Sequence, residues 1–273
     1  QSLVIRFMHP ILFKIGPITI YTYGVLIAAA FFLGLALAVR QARIEGEEPQ
    51  KIMDLGFYIL ISAIVGSRLI YVIVDYKEYL SDPLRIFKVW EGGLVFYGGF
   101  IMAAAVVIIY LRNHKMNVWK VGDLFAPSIA IGQGVGRLGC FFAGCCYGRE
   151  SDVPWAIVFK DPHTLAPMGV HLHPTQLYDS ANGFIIFSIL IIFRRFKKFD
   201  GQLFWTYTLL YAIGRFIVEI FRGDERGFLI EPDSFALLTT GLSTSQFIAI
   251  LLFAVSIIMM IKLKRIKGVR DKD

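Results

Sequence analysis

Apolar residues fall in seven long stretches along this chain: Ile18–Arg40, Leu55–Asp75, Gly93–Arg112, Asp123–Cys146, Thr175–Phe193, Leu203–Phe221 and Thr244–Ile261. Each is close to the ~20 residues a helix needs to cross the ~30 Å hydrocarbon core of a bilayer. The pattern predicts an all-α integral membrane protein of about seven transmembrane helices. One longer polar segment, 147–174, interrupts it and is expected to form a small extracytoplasmic loop or head. With no internal repeat and no low-complexity tract, residues 1–273 read as a single membrane domain, and transporter folds built from inverted repeats are disfavoured. The first stretch is too long for a signal-peptide core and reads as a retained span.

Three arginines break the apolar pattern from within: Arg68, Arg137 and Arg215. An arginine at the bilayer centre costs roughly 2.5–3.5 kcal/mol on insertion scales, so each requires an anion, a partner or a water-filled cavity. At about 1.5 Å per residue they lie roughly 20, 21 and 18 Å from the starts of spans two, four and six. Tyr23 and Tyr97, on spans one and three, reach roughly 6–8 Å down from the opposite face by the same rise. The depths predict a polar chamber in the outer half of the bilayer.

Lysine and arginine placement sets the expected orientation. With the N-terminus outside, the inner loops carry sixteen of the 28 basic residues, among them Arg40, Arg112, Arg194 and Lys262, and the outer segments carry nine, from Arg6 to Arg226. The bias favours N-out, C-in. Composition agrees with a membrane location: 56% of residues are hydrophobic, 18% are charged, and mean hydropathy is +0.61. The net charge of +7 lies at the inner helix ends, where anionic lipid headgroups explain it better than nucleic acid. Trp90 and Trp205, at the ends of spans three and six, read as interfacial anchors.

Span four ends in the densest polar and small-residue cluster, Gly132-Gln133-Gly134-Val135-Gly136-Arg137-Leu138-Gly139-Cys140, continuing through Gly144, Cys145, Cys146 and Gly148. Small residues let helix backbones approach closely, and here they would also let a lipid headgroup reach backbone and guanidinium together. The planar guanidinium donates paired hydrogen bonds and stays charged at any relevant pH, which suits phosphate. The competing reading is a structural ion pair: Glu219 stands one turn from Arg215, on the face shared with Tyr211, whereas Arg68 has only Asp75 two turns on.

The run Gly136-Arg137-Leu138-Gly139 through Gly144 and Gly148 resembles the signature of the bacterial prolipoprotein diacylglyceryl transferase family, and further matches follow in order along nearly the whole chain. They are Tyr23-Gly24; Gly66-Ser67-Arg68; Trp90-Glu91-Gly92-Gly93-Leu94-Val95-Phe96 with Gly98-Gly99; His173-Pro174-Thr175-Gln176-Leu177-Tyr178-Asp179; Tyr211 with Gly214 through Glu219; Phe221-Arg222; and Leu242 through Gln246. The resemblance implies a seven-helix enzyme of the bacterial cytoplasmic (inner) membrane. Its substrates would be phosphatidylglycerol and a preprolipoprotein; the diacylglyceryl group would move to the lipobox cysteine thiol, forming a thioether and releasing glycerol 1-phosphate. Arg137 and Arg215 would serve the phosphate, and Tyr97 is the further catalytic candidate. Tyr23, Tyr211 and Glu219 would position lipid or hold those arginines. Arg68, Gly98, Gly99, Gly136, Gly139, Cys140, Gly144, Gly148, His173 and Arg222 complete the expected substrate-binding set. No cofactor, metal or nucleic acid is expected.

Two departures from the family pattern bear on mechanism. Tyr97 stands between the glycine pairs of span three, where the family's histidine is expected. A tyrosine of pKa about 10 is a poorer base at neutral pH, so base catalysis falls elsewhere or the chain is slow or altered, while Tyr97 retains the capacity to orient a headgroup. Cys140 and Cys145 stand where many members carry asparagine and glutamate. With Cys146 they read as packing residues, as a disulfide or as a reactive thiol near the oxidising face; no second cysteine pair or adjoining histidine signals a metal. His173 reads equally as a packing or capping residue, and His163 and His171 as solvated loop residues. Two rival functions follow, a related phospholipid-using transferase with another acceptor and a non-catalytic lipid or anion transporter.

Overall fold

A computed structural model describes residues 9–16, 18–88, 92–223, 228–230 and 242–270. Arg6, Trp90, Glu91 and Arg226 of the sequence reading lie outside them. Every predicted apolar stretch coincides with a long helix: α1 (Thr22–Ile44), α2 (Pro49–Val74), α4 (Phe96–Asn113), α5 (Val118–Ala143), α6 (Thr175–Phe193), α7 (Gln202–Glu219) and α8 (Thr244–Arg270), with a short α3 (Tyr76–Ser81) between α2 and α4. Five of these, α1, α2, α4, α6 and α8, are long and apolar enough to cross a membrane. The other two, α5 and α7, are the helices that carry Asp123, Arg137, Arg215 and Glu219. Large apolar side chains such as Ile61, Phe100, Ile185 and Ile258 are more than half exposed on the helices. In water such surface would be an aggregation hazard; on a multi-pass membrane protein it is the lipid-facing side.

The helix ends follow local chemistry. Pro49 occupies the first turn of α2, where its missing N–H costs nothing, so the helix starts ahead of the apolar run. The first apolar stretch loses its opening residues to β2 (Ile18–Tyr21), which pairs antiparallel with β1 (Ile11–Ile15). Gly144, at φ +74°, ends α5 by adopting the left-handed conformation that costs glycine least. The start of α8 is a capping box: Ser243 Oγ accepts from Gln246 N at 3.1 Å while Gln246 Oε1 accepts from Ser243 N at 3.1 Å. Ser243 ends the short β6 (Leu242–Ser243), which pairs with β5 (Phe228–Ile230).

The chain divides into two compact units, one formed by the described residues of Gln1–Leu37 and Gly122–Asp273, the other by Ala38–Val121. The second unit is built on α2 against α4. A Cβ at Gly66 would lie 2.5 Å from the Gly98 carbonyl oxygen, and one at Gly99 would lie 2.7 Å from the Ala63 carbonyl oxygen. Only glycine permits backbones this close.

In the first unit, α6 meets α5 where a Cβ at Gly183 would lie 2.7 Å from Gly134 N, and Ser180 Oγ donates to Gly134 O at 2.7 Å. One end of this unit is fastened by Asp123, fully buried, whose carboxylate accepts from Gly201 N at 2.8 Å and Phe204 N at 2.9 Å and pairs with Lys197 at 3.0 Å. The carboxylate thereby satisfies otherwise orphaned N–H groups at the start of α7. Within the head segment, 147–174, β3 (Ile157–Val158) pairs antiparallel with β4 (His171–Leu172), and Ile157, Phe159, Ala166 and Leu172 bury against Phe141 at the end of α5.

Candidate functional site

The first unit gathers three arginines around two carboxylates. α5 carries Arg137 to its penultimate turn, α6 carries Asp179, and Arg222 follows α7; Asp179 Oδ2 lies 3.3 Å from Arg137 Nη1 and 3.8 Å from Arg222 Nη1. Asp179 is 1% exposed. On α7, Arg215 pairs with Glu219 one turn later at 2.5 Å, as their spacing predicts. Ser245 Oγ accepts from Arg215 Nη2 at 3.1 Å, and Ser243 Oγ donates to Glu219 Oε1 at 3.0 Å, so the capped start of α8 holds both members of the pair. Three guanidiniums against two carboxylates leave one formal positive charge.

Burying a charge without compensation is expensive, and this cluster is buried: Arg215 is 8% and Glu219 9% exposed. Arg215 Nη1 is a buried donor with no hydrogen-bond partner among the described residues. A buried guanidinium with an unused donor, in a group with excess positive charge, is chemically suited to receive an anion. Arg137 is the most accessible of the three, its side chain 22% exposed.

Four of the glycines expected to bind substrate, Gly136, Gly139, Gly144 and Gly148, sit at close contacts within this unit. Gly136 and Gly139 face α1: a Cβ at Gly136 would lie 3.3 Å from Ile27 Cδ1 and one at Gly139 would lie 3.3 Å from Tyr23 Cδ2. They thus admit Tyr23 beside Arg137, with the tyrosine itself 42% exposed. Gly148 is buried where the head meets the end of α7, its would-be Cβ 2.5 Å from the His173 carbonyl oxygen and 2.8 Å from that of Phe221. Gly144 packs beneath Thr164 and Leu165 of the head, and Leu165 N donates to Ala143 O at 3.0 Å. Tyr211 stacks on Tyr207 at 6.0 Å between centroids, and Tyr207 donates to Gln133 Oε1 at 3.2 Å.

His173, 7% exposed, shares a hydrogen bond between Nδ1 and the Tyr178 hydroxyl at 3.1 Å and packs edge-on against Phe221. Burial, and then the nearby Arg149 charge, hold its pKa below the ordinary histidine value, so the imidazole is neutral at pH 7. His163 and His171 lie exposed in the head. Just past α5 the three cysteines meet, with all three Sγ atoms within 4.8 Å of one another. Hydrogen bonding with Cys140 and Cys145, and then with Arg222, pulls the Cys146 thiol down from its usual range.

Four of the expected residues belong to the second unit. Gly98 and Gly99 form the α2–α4 seam, and Tyr97 is 66% exposed at the start of α4. Arg68 has found partners that no spacing rule reveals: Nε donates to Ile86 O at 3.0 Å, Nη1 to Gly92 O at 2.7 Å and Gly93 O at 3.2 Å, and Nη2 to Arg85 O at 2.5 Å and Lys88 O at 3.4 Å. Tyr71 and Tyr79 flank the guanidinium at 5.7 and 5.4 Å. All three of its nitrogens are spent on backbone carbonyls, so Arg68 organises the chain after α3. Lysine cannot reproduce this planar fan. Arg68→Lys is therefore expected to lower stability in detergent by at least about 2 kcal/mol and to expose Pro83–Lys88 to protease; an unchanged melting temperature and cleavage pattern would remove that role.

Sequence reasoning missed two buried carboxylates. Asp179 was visible as the last residue of the His173–Asp179 run, and Asp123 as an acid opening an apolar stretch, but their partners lie 42 or more residues away.

Comparison with known proteins places these features in a lineage. The pattern of the family described as Prolipoprotein diacylglyceryl transferase matches residues 10–262. The chain is 36% identical over 250 residues to the Phosphatidylglycerol–prolipoprotein diacylglyceryl transferase of Clostridium tetani (strain Massachusetts / E88), covering 92% of this chain and 96% of that one. It is 34% identical over 264 residues to Phosphatidylglycerol–prolipoprotein diacylglyceryl transferase 2 of Clostridium perfringens (strain 13 / Type A), covering 97% and 98%. The Bacillus velezensis relative of the same name is 34% identical over 269 residues, covering 97% and 95%. Since the matched span takes in all of the second unit, most of the first and every arginine of the buried cluster, the chain belongs to the prolipoprotein diacylglyceryl transferase family.

Proposed function

We propose that this chain moves the diacylglyceryl group of phosphatidylglycerol onto a prolipoprotein, the reaction named for its relatives. The acceptor is the lipobox cysteine thiol. As the thiol gives up its proton to solvent, sulfur attacks the glyceryl carbon, a C–S thioether bond forms, the C–O bond to phosphate breaks, and glycerol 1-phosphate leaves with the bonding electrons. Charge grows on the departing phosphate, and fixed donors aimed at developing charge are the largest lever a site of this kind has. The buried Arg215, whose Nη1 donor has no hydrogen-bond partner among the described residues, in a cluster of net positive charge, is the observation that carries this reading.

In this reading Arg137 and Arg215 receive the phosphate, Glu219 and Ser245 fix Arg215, and Asp179 holds Arg222 beside Arg137. Tyr23 and Tyr211 guide the lipid, Gly136, Gly139, Gly144 and Gly148 admit it or shape its surroundings, and Cys140 and His173 border the same region. Tyr97, exposed, meets substrate through its hydroxyl, and Arg68, Gly98 and Gly99 support α4. The seven long helices all span the bacterial inner membrane, N-out and C-in, α5 and α7 being less apolar because they carry the polar cluster. Residues 147–174 form the extracytoplasmic head, and one family match running through both units supports a single membrane domain.

The test is transfer in phosphatidylglycerol micelles to a lipobox peptide, with its cysteine-to-serine counterpart as control. Wild type is expected to lipidate only the cysteine peptide, Arg137→Ala to lose at least about a hundredfold, and Tyr97→Phe to report on the hydroxyl. Binding of phosphatidylglycerol, or movement of intact lipid, without any peptide product would refute the reading.

A further inference from the structure

Cys140, Cys145 and Cys146 converge, although four residues separate the first from the other two. Cys140 lies in the last turn of α5; Gly144 at φ +74° and Cys146 at φ +61° then turn the chain back, bringing the three Sγ atoms within 4.8 Å of one another. A non-glycine residue at positive φ is uncommon, so this turn must be held in place. Thr175 Oγ1 donates to Cys146 O at 2.8 Å and Gln176 Nε2 to Cys145 O at 2.9 Å, both from the buried first turn of α6. None of the cysteines is in a disulfide, and all three are partly exposed.

We propose that Cys140, Cys145 and Cys146 form a tris-thiolate site for one thiophilic d10 metal ion, zinc(II). Four-coordinate zinc with Zn–S bonds of about 2.3 Å sets its sulfurs roughly 3.8 Å apart, a separation the observed cluster accommodates. Three sulfur donors select against magnesium, calcium and manganese. Among the described residues no carboxylate or imidazole joins the three sulfurs, so the fourth position goes to water. Binding converts three thiols to thiolates with release of three protons, and no oxidant or reductant is needed. The resulting centre carries one negative charge, against the one positive charge left by Arg137, Arg215 and Arg222 with Asp179 and Glu219; Arg222 and Arg137 already interact with these sulfurs. The spacing Cys-x4-Cys-Cys matches no paired-cysteine metal motif, so no spacing rule reveals it. The site stands apart from the transferase reading, because it requires only the thiols.

The test uses the full chain in detergent, reduced and stripped of metal, with cobalt(II) as the spectroscopic substitute for zinc. One equivalent is expected to produce thiolate-to-cobalt charge-transfer absorption with tetrahedral visible bands, and one equivalent of zinc to bleach them. The Cys145→Ser/Cys146→Ser double variant and Cys140→Ser should each weaken binding at least tenfold. Should a variant fail to fold, wild type with its thiols alkylated must lose the bands instead. A parallel copper(I) titration against a chromophoric competitor separates the two d10 ions: tight copper(I) binding without zinc displacement of cobalt overturns zinc. Absence of charge-transfer absorption while three thiols remain titratable overturns the site, as do bands that survive the double variant.

Discussion

Arg215→Lys is expected to slow transfer to a lipobox peptide by at least about a hundredfold, with the loss mainly in kcat. Lysine keeps the charge but offers a single ammonium where Arg215 uses Nη2 for Glu219 and Ser245 and presents Nη1 separately. An ammonium that remains with Glu219 has no second, rigidly placed donor for the phosphate. Glu219→Gln gives the complementary case. Its amide oxygen still accepts from Ser243, yet the charge that orients Arg215 is gone, so a loss of roughly tenfold is expected, smaller than that of Arg215→Lys. Melting temperatures of both variants, compared with wild type, separate a lost donor from a lost fold. If Arg215→Lys retained activity within threefold, the cluster would be structural and the phosphate would have to be held elsewhere.

What the sequence disclosed about this cluster follows from where each interaction is encoded. The Arg215–Glu219 pair lies one helical turn apart, so periodicity alone brings it together. The Ser243–Gln246 capping box is equally local, and it turns the run Leu242 through Gln246 from a family resemblance into a device that starts α8 and fixes that pair. Helix existence was legible because seven apolar stretches have the length of a bilayer span, while the β1–β2 hairpin was hidden because Ile18–Tyr21 is as apolar as the span it precedes.

Long-range polar contacts were not legible. Arg68 is satisfied by backbone carbonyls 17 to 25 residues away, and a carbonyl has no residue identity for a pattern to detect. Depth reasoning put Arg68, Arg137 and Arg215 in one layer because it counts only residues along each helix. It carries no information on which way a side chain turns or on what the connecting segments offer it. Asp123 and Asp179 were passed over for a related cause: an acid in an apolar stretch declares that it needs a partner, but not which one.

Asp179→Asn is expected to lower stability by roughly 3–5 kcal/mol, because it removes the carboxylate between two guanidiniums and leaves an uncompensated buried charge. Asparagine preserves the shape and one acceptor oxygen, so the loss reports charge rather than packing. The same substitution raises the formal charge of the cluster from one to two, which increases its attraction for an anion. Phosphatidylglycerol should therefore raise the melting temperature of Asp179→Asn more than that of wild type, by the mass-action stabilisation that any ligand of the native state provides. A neutral lipid of matched chains should not discriminate between the two. Equal stabilisation of both proteins by the anionic lipid would mean that its phosphate does not reach these arginines; preferential rescue would place the headgroup against Arg137 and Arg222, where Asp179 now lies.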